Sequence, residues 1–188
     1  PAGWDLTSAT CDDGSDPSSI GLVAGETVTC TFNNQKDANI IIVKQTDPNG
    51  DPQVFNFNRS YGTDVGLSDG QSNNSGDLDP GTYSVSEDLP AGWDFEGAVC
   101  SDGSDPSSIS LQAGETVTCT FTNEKDAFII VEKQTNPNGD PQVFDFDLSY
   151  GSGDADLSDG QSDDSGDLAP GTYSVAENTP AGWDLTSA

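Results

Sequence analysis

The feature that most constrains this chain is that it repeats itself. Residues 1–89 and 90–179 are two copies of one unit. PAGWDLTSATCDDGSDPSSI is answered by PAGWDFEGAVCSDGSDPSSI, and AGETVTCTFNNQKDA by AGETVTCTFTNEKDA. A third start, PAGWDLTSA, fills residues 180–188 and is identical to residues 1–9. Self-similarity with a period of about 90 residues marks a tandem array of one structural module. The A-B-A order of the starts suggests a longer array with a two-repeat period. Pro1 is no initiator Met and no signal peptide precedes it, so the expectation is a mature fragment or a window on a longer chain.

Within a unit the pattern is β throughout. Clusters of Gly, Pro, Asn, Asp and Ser punctuate short alternating runs, and no amphipathic helix interrupts them. Strands are expected over 39–45, 53–60, 82–88, 93–100 and 116–123. Phe55 and Phe57 share one face with Asn56 and Asn58 opposite, and Tyr83, Val85 and Glu87 share another. Val117, Cys119 and Phe121 face inward while the alternating threonines face out. About seven strands per unit predict an all-β, two-sheet sandwich of the Ig-like kind. In that frame residues 1–35 are the closing strands of a preceding repeat, 36–124 a complete sandwich, and 125–188 the opening strands of a following one. The linkers 35–38 and 124–127 are short enough to hold successive domains in a fixed relation, as in a rod.

Composition removes several functions. The chain of 188 residues carries 33 acidic and 5 basic residues, a net charge of −28, and no His. Such a chain repels phosphate backbones, so nucleic acid is not an expected partner. Without His, Ser–His or Cys–His catalysis and most zinc sites lose their usual members. No nucleophile, base and orienting group occur together, so no enzyme is expected. No segment is apolar for long enough to span a membrane. The acidity fits solubility and repulsion between neighbouring chains, and equally a saline habitat.

Cys11 and Cys30 lie 19 residues apart, as do Cys100 and Cys119. Each pair connects the PAGW strand to the closing strand of the same domain. An even count at a repeated spacing reads as disulfides formed in an oxidising compartment, and the alternative is two pairs of buried thiols. Trp93 and Phe95 are expected to face inward, which leaves Cys100 on the opposite parity. A bulge near Gly97 would restore it.

A second constellation follows from strand parity. Val43 is replaced by Glu132 in the second copy, so that position faces out and Lys44 and Lys133 face in. Glu87 and Glu177 are inward by the same count, and Asn34 and Asn123 continue the inward face of the closing strand. A lone buried Lys or Glu is costly, so the two should meet or lose charge. A neutral amine beside a protonated carboxyl and an Asn amide can form an isopeptide bond and release ammonia. The alternative is a buried Lys–Glu ion pair hydrogen-bonded to Asn. Lys44, Glu87 and Asn123 form the candidate set within the complete domain. Lys133 and Glu177 would take Asn34 from another copy.

These residues carry a family resemblance. IIIVKQTDPNGDP resembles the first strand, with its reactive Lys, of the prealbumin-like SpaA/Cna B-type repeats of bacterial pilins and adhesins. GTYSVSEDLPAGW resembles that family's box containing the proton-shuttling Glu, and VTCTFTN its last strand ending in the acceptor Asn. The resemblance covers every repeat with the elements in order, and it implies tandem prealbumin-like sandwiches with cell-surface structural or adhesive roles. The cysteine pair lies outside the usual pilin pattern, and Trp93 stands where Tyr is usual.

Asp47, Asn49 and Asp51 alternate in TDPNGDP, and Asn136, Asn138 and Asp140 repeat the spacing. That is half of a calcium loop without its bidentate Glu. Calcium is the one cofactor the pattern allows, and plain turn chemistry explains the same residues. The expected function is therefore a structural subunit of an extracellular or cell-surface fibre, pilus or stalk, whose partner is itself, head to tail. The alternatives are an adhesin repeat binding an external ligand and a calcium-stiffened matrix module. Exposed aromatic patches would favour the adhesin, and the parity count places nearly all Phe and Trp inside.

Overall fold

The computed structural model describes residues 1–187. Among these every regular element is a strand. β1 (Trp4–Cys11) and β2 (Cys30–Lys36) form an antiparallel pair. The next nine strands are β3 (Asn39–Asp47), β4 (Phe55–Arg59), β5 (Val65–Leu67), β6 (Ser72–Asn74), β7 (Gly81–Tyr83), β8 (Val85–Asp88), β9 (Trp93–Cys100), β10 (Ile109–Leu111) and β11 (Thr116–Lys125). They make a four-stranded sheet ordered β6-β3-β11-β9, a three-stranded sheet ordered β5-β4-β8, and the pair β10-β7. The chain divides into two compact units, one of Pro1–Pro90 with Phe95–Asn123, the other of Ala91–Asp94 with the remainder.

Alternation builds the core of the first unit. Ile40, Ile42 and Lys44 on β3, Phe55 and Phe57 on β4, and Val117, Cys119, Phe121 and Asn123 on β11 are all buried. Phe57 and Phe121 meet edge to face with centroids 5.1 Å apart, which joins the two larger sheets. Burying aromatic and branched side chains at about 25 cal/mol per Å² is the main stabilising term.

The second unit repeats the plan with β12 (Ile130–Glu132), β13 (Phe144–Leu148), β14 (Asp154–Leu157), β15 (Ser162–Asp164) and β16 (Val175–Asn178). β14-β13-β16 form one sheet and β12-β15 another. Val131, Phe144, Phe146 and Leu157 form its buried cluster, and Trp183 packs edge to face on Phe144.

Three local expectations are corrected. The single strand expected over 82–88 is two, because the chain changes sheets at Ser84. Tyr83 pairs with Ile109 on β10, whereas Glu87 pairs with Phe57 on β4. Ser84 N donates to Ser60 Oγ and Val85 N to the Pro106 carbonyl, which hold the crossing. Phe95 is 51% exposed and not a core residue, although it leans on Phe121. Aromatic side chains are also less uniformly inward than parity implies: Trp4, Phe32 and Phe128 are exposed as well. The register change expected near Gly97 has a physical basis. Gly97 has φ of 149°, a conformation that side-chain-bearing residues rarely adopt, and Trp93 and Cys100 on either side of it are both buried. In β1 the shift falls between Leu6 and Ser8, Ser8 being the counterpart of Gly97.

Candidate crosslink site

β3 and β11, the first and last strands of the sandwich, are neighbours in one sheet. Lys44 and Asn123 therefore reach the same interior from adjacent strands, and β8 brings Glu87 from the opposing sheet. Lys44 and Asn123 are fully buried, and the Glu87 side chain is 3% exposed. Lys44 Nζ donates to Asn123 Oδ1 and, at 3.0 Å, to the Gln45 carbonyl. It lies 3.1 Å from Glu87 Oε1 and 4.0 Å from the centroid of the Phe55 ring. The Glu87 oxygens and Asn123 Nδ2 are buried without a hydrogen bond of good geometry, although Lys44 and Asn123 both lie close enough to favour the Glu87 carboxylate.

Burial sets the protonation states. Desolvation lowers the Lys44 pKa, with the nearby Glu87 charge opposing it. Desolvation raises the Glu87 pKa against the opposing effects of Lys44 and Asn123. Both shifts favour the neutral forms, amine and carboxylic acid, in an interior where charge is expensive. Glu87 also lines a cavity of about 500 Å³ bounded by Leu89, Phe95 and Phe121.

The second unit holds the corresponding Lys and Glu. Lys133 Nζ donates to Glu177 Oε2 at 2.8 Å and lies 3.8 Å from the Phe144 ring centroid. Asn34 belongs to the first unit, where it pairs with Leu6 across β1 and β2 and is exposed.

Both cysteine pairs are disulfides, Cys11 with Cys30 and Cys100 with Cys119. Cys11 and Cys30 are direct cross-strand partners. Their formation fits folding in an oxidising compartment.

The TDPNGDP loop and its counterpart TNPNGDP are tied to the protein's own carboxylates. Asp69 accepts hydrogen bonds from Thr46 N at 2.6 Å and Gly50 N at 2.7 Å. Asp159 does the same for Thr135 N and Gly139 N. Asp51 and Asp140 accept from the amides two residues on, of Gln53 and Gln142. Among the described residues, carboxylates gathered within 4.8 Å of one another occur instead at Asp5, Asp37 and Asp79. There burial, and then the charges of Asp5, Asp77 and Asp79, raise the Asp37 pKa. The role of Asp69 and this acidic group escaped the sequence reading. Their partners are distant along the chain, and the only visible signal was a carboxylate-rich loop.

No curated protein matches the sequence. Among solved structures, the Bacillus anthracis TIE protein is similar with a TM-score of 0.40 and 19% identity, covering 86% of this chain and 34% of that one. The chain thus spans about a third of the length of that protein. Residues 40–125, which run from β3 to the end of β11, match the prealbumin-like fold domain family. Over those residues the chain's complete sandwich is similar to the SpaA-type, prealbumin-like domains.

Proposed function

We propose that this chain is a structural module of an extracellular fibre or stalk, and that its complete domain locks itself with an isopeptide bond between Lys44 and Asn123. The observation that carries the reading is the buried meeting of amine, carboxyl and amide between the first and last strands. The neutral Lys44 amine attacks Asn123 Cγ, and Glu87 donates its proton toward the amide. A new C–N bond forms, the Cγ–Nδ2 bond breaks, and the amine proton passes through Glu87 to the departing nitrogen. Ammonia leaves by the adjoining cavity and Glu87 is regenerated. The reaction happens once per domain, so it matures a structure and does not turn over a substrate.

The repeat supports a head-to-tail role. Phe121 is 3% exposed on β11, while its counterpart Phe32 on β2 is 57% exposed. Leu6, Leu22 and Val23 of the same segment are exposed too. That face matches the opening strands of another repeat of this sequence, just as 90–125 matches 39–89. In such a joint Asn34 would meet a Lys133 and Glu177 pair. The test is the intact mass of the denatured, reduced protein: one ammonia below the calculated value supports the bond, and the full calculated mass rejects it. Filaments of native material seen by electron microscopy would support the fibre, and dispersed monomers would reject it.

A further inference from the structure

At one place the two units differ by exchanging a bound cation for a cavity. In the first unit the guanidinium of Arg59, at the end of β4, lies 5.2 Å from the centroid of the Tyr61 ring. Its Nη1 donates to Asn73 Oδ1 at 2.7 Å, and its Nη2 donates to the Thr63 carbonyl. In the second unit Arg59, Tyr61 and Asn73 are answered by Leu148, Tyr150 and Asp163, Asn74 by Asp164, and the loop after the tyrosine is one residue longer, with Ser152 following Gly151 as Thr63 follows Gly62. The guanidinium is thus lost just where its amide acceptor gains a negative charge. Leu148 packs against the buried cluster of Val131 and Phe144. What the exchange leaves is a polar cavity of about 160 Å³ lined by Tyr150, Ser152, Asp154, Asp163 and Asp164. Tyr150 is 6% exposed, and its buried hydroxyl, like that of Tyr61 in the first unit, has no hydrogen-bond partner. Burial, and then the Asp163 charge, hold that hydroxyl above its ordinary pKa.

We propose that this cavity receives the guanidinium of an arginine side chain carried by a partner polypeptide. The first unit supplies the template: an aromatic ring, a side-chain acceptor at the Asn73 position and a backbone carbonyl at the Thr63 position surround a guanidinium. In the second unit the places of the ring and the side-chain acceptor are taken by Tyr150 and Asp163, with the neutral acceptor made anionic, and Ser152 lines the same cavity. A carboxylate binds guanidinium about twice as strongly as a neutral acceptor does, and a planar fork of donors suits it better than an ammonium. A bare divalent ion fits less well. Calcium takes 6–8 oxygens at about 2.3–2.6 Å. The three cavity aspartates are not gathered that closely, in contrast to Asp5, Asp37 and Asp79. The net charge of −28 would draw a basic partner from a distance.

The test uses the 188-residue chain and three probes: N-acetyl-arginine amide, N-acetyl-lysine amide and calcium chloride. Each is titrated while the resonances of Tyr150, Ser152 and Asp163 are followed by NMR. The arginine probe should shift them saturably, and the lysine probe about tenfold more weakly. Asp163→Asn and Leu148→Arg each install a residue the first unit already carries at that position, so both should fold. The first should weaken the arginine probe about tenfold, and the second should abolish its effect by supplying a guanidinium from within. The proposal is overturned if the arginine probe causes no saturable shift, or if either variant binds it unchanged. It is also overturned if calcium shifts the same resonances at lower concentration than arginine, which would make the cavity a metal site.

Discussion

Replacing Glu87 with Gln is the sharpest perturbation of the crosslink reading. The side chain keeps its size and its place on β8 but cannot shuttle a proton at neutral pH. Lys44 and Asn123 are 79 residues apart. By the chain-entropy estimate, a covalent bond closing a loop of that length stabilises by about 4.5 kcal/mol. For a domain of this size, 1 kcal/mol moves the melting temperature by about 4–8 °C, so losing the bond should lower it by about 20 °C or more. Intact mass and calorimetry on the same preparations read both consequences. The variant should retain the ammonia that the wild-type chain has lost, and should melt far lower. If Glu87→Gln still loses ammonia, Glu87 is not the shuttle. If the wild type already has its full calculated mass, no bond forms; a fall in melting temperature in the variant then reports the loss of a buried ion pair.

Other expectations follow from the same interior. Replacing Cys100 and Cys119 together with Ala should cost about 3 kcal/mol, measured by urea unfolding, since the bond closes a loop of 19 residues; unchanged stability would remove the disulfide from the account. Phe57→Ala should cost about 3–5 kcal/mol in the same assay, because the ring is fully buried against Phe121. In Asn123→Ala, where no bond can form, Glu87 titrates with its pKa raised in the folded state. Its contribution to stability is then complete below the unfolded carboxyl value and fades as pH rises through the folded one, so the stability of Asn123→Ala relative to a double variant that also carries Glu87→Gln should be greater at pH 4 than at neutrality. Asp69→Ala should speed hydrogen exchange at the Thr46 and Gly50 amides it now binds, and calcium should leave the wild-type melting temperature unchanged; a calcium-dependent rise would make the ion a stiffening element.

The all-β fold was legible because burial on one face writes itself into alternate residues. Phe55 and Phe57, or Val117, Cys119 and Phe121, needed no more than a period of two. The inward course of Lys44 was readable only because the second copy has Glu132 where the first has Val43. The crossing at Ser84 was not legible, since Tyr83, Val85 and Glu87 keep one parity while the chain passes between sheets. Its cause is a pair of hydrogen bonds to Ser60 and Pro106, partners that local pattern does not disclose. Phe95 failed because β9 is an edge strand, on which an apolar residue can lie half in water while sharing the parity of the buried Trp93. The acidic loops were ambiguous for the opposite reason, because Asp serves a metal and a backbone amide with the same oxygen.

The adjacency of β3 and β11 has a mechanical meaning. A pull on the complete domain enters at Asn39 and leaves at Lys125, so it loads these two neighbouring strands and no others at first. With Lys44 joined to Asn123, tension would cross from one strand to the other through covalent bonds, and the 78 residues between them, 45–122, would bear none of it. Without the bond, that segment could be drawn out to about 200 Å at roughly 3.4 Å per residue, because the Cys100–Cys119 disulfide takes 19 residues out of the loaded path. The first protein would hold its length until chemistry failed, and the second would yield like a spring and dissipate the load.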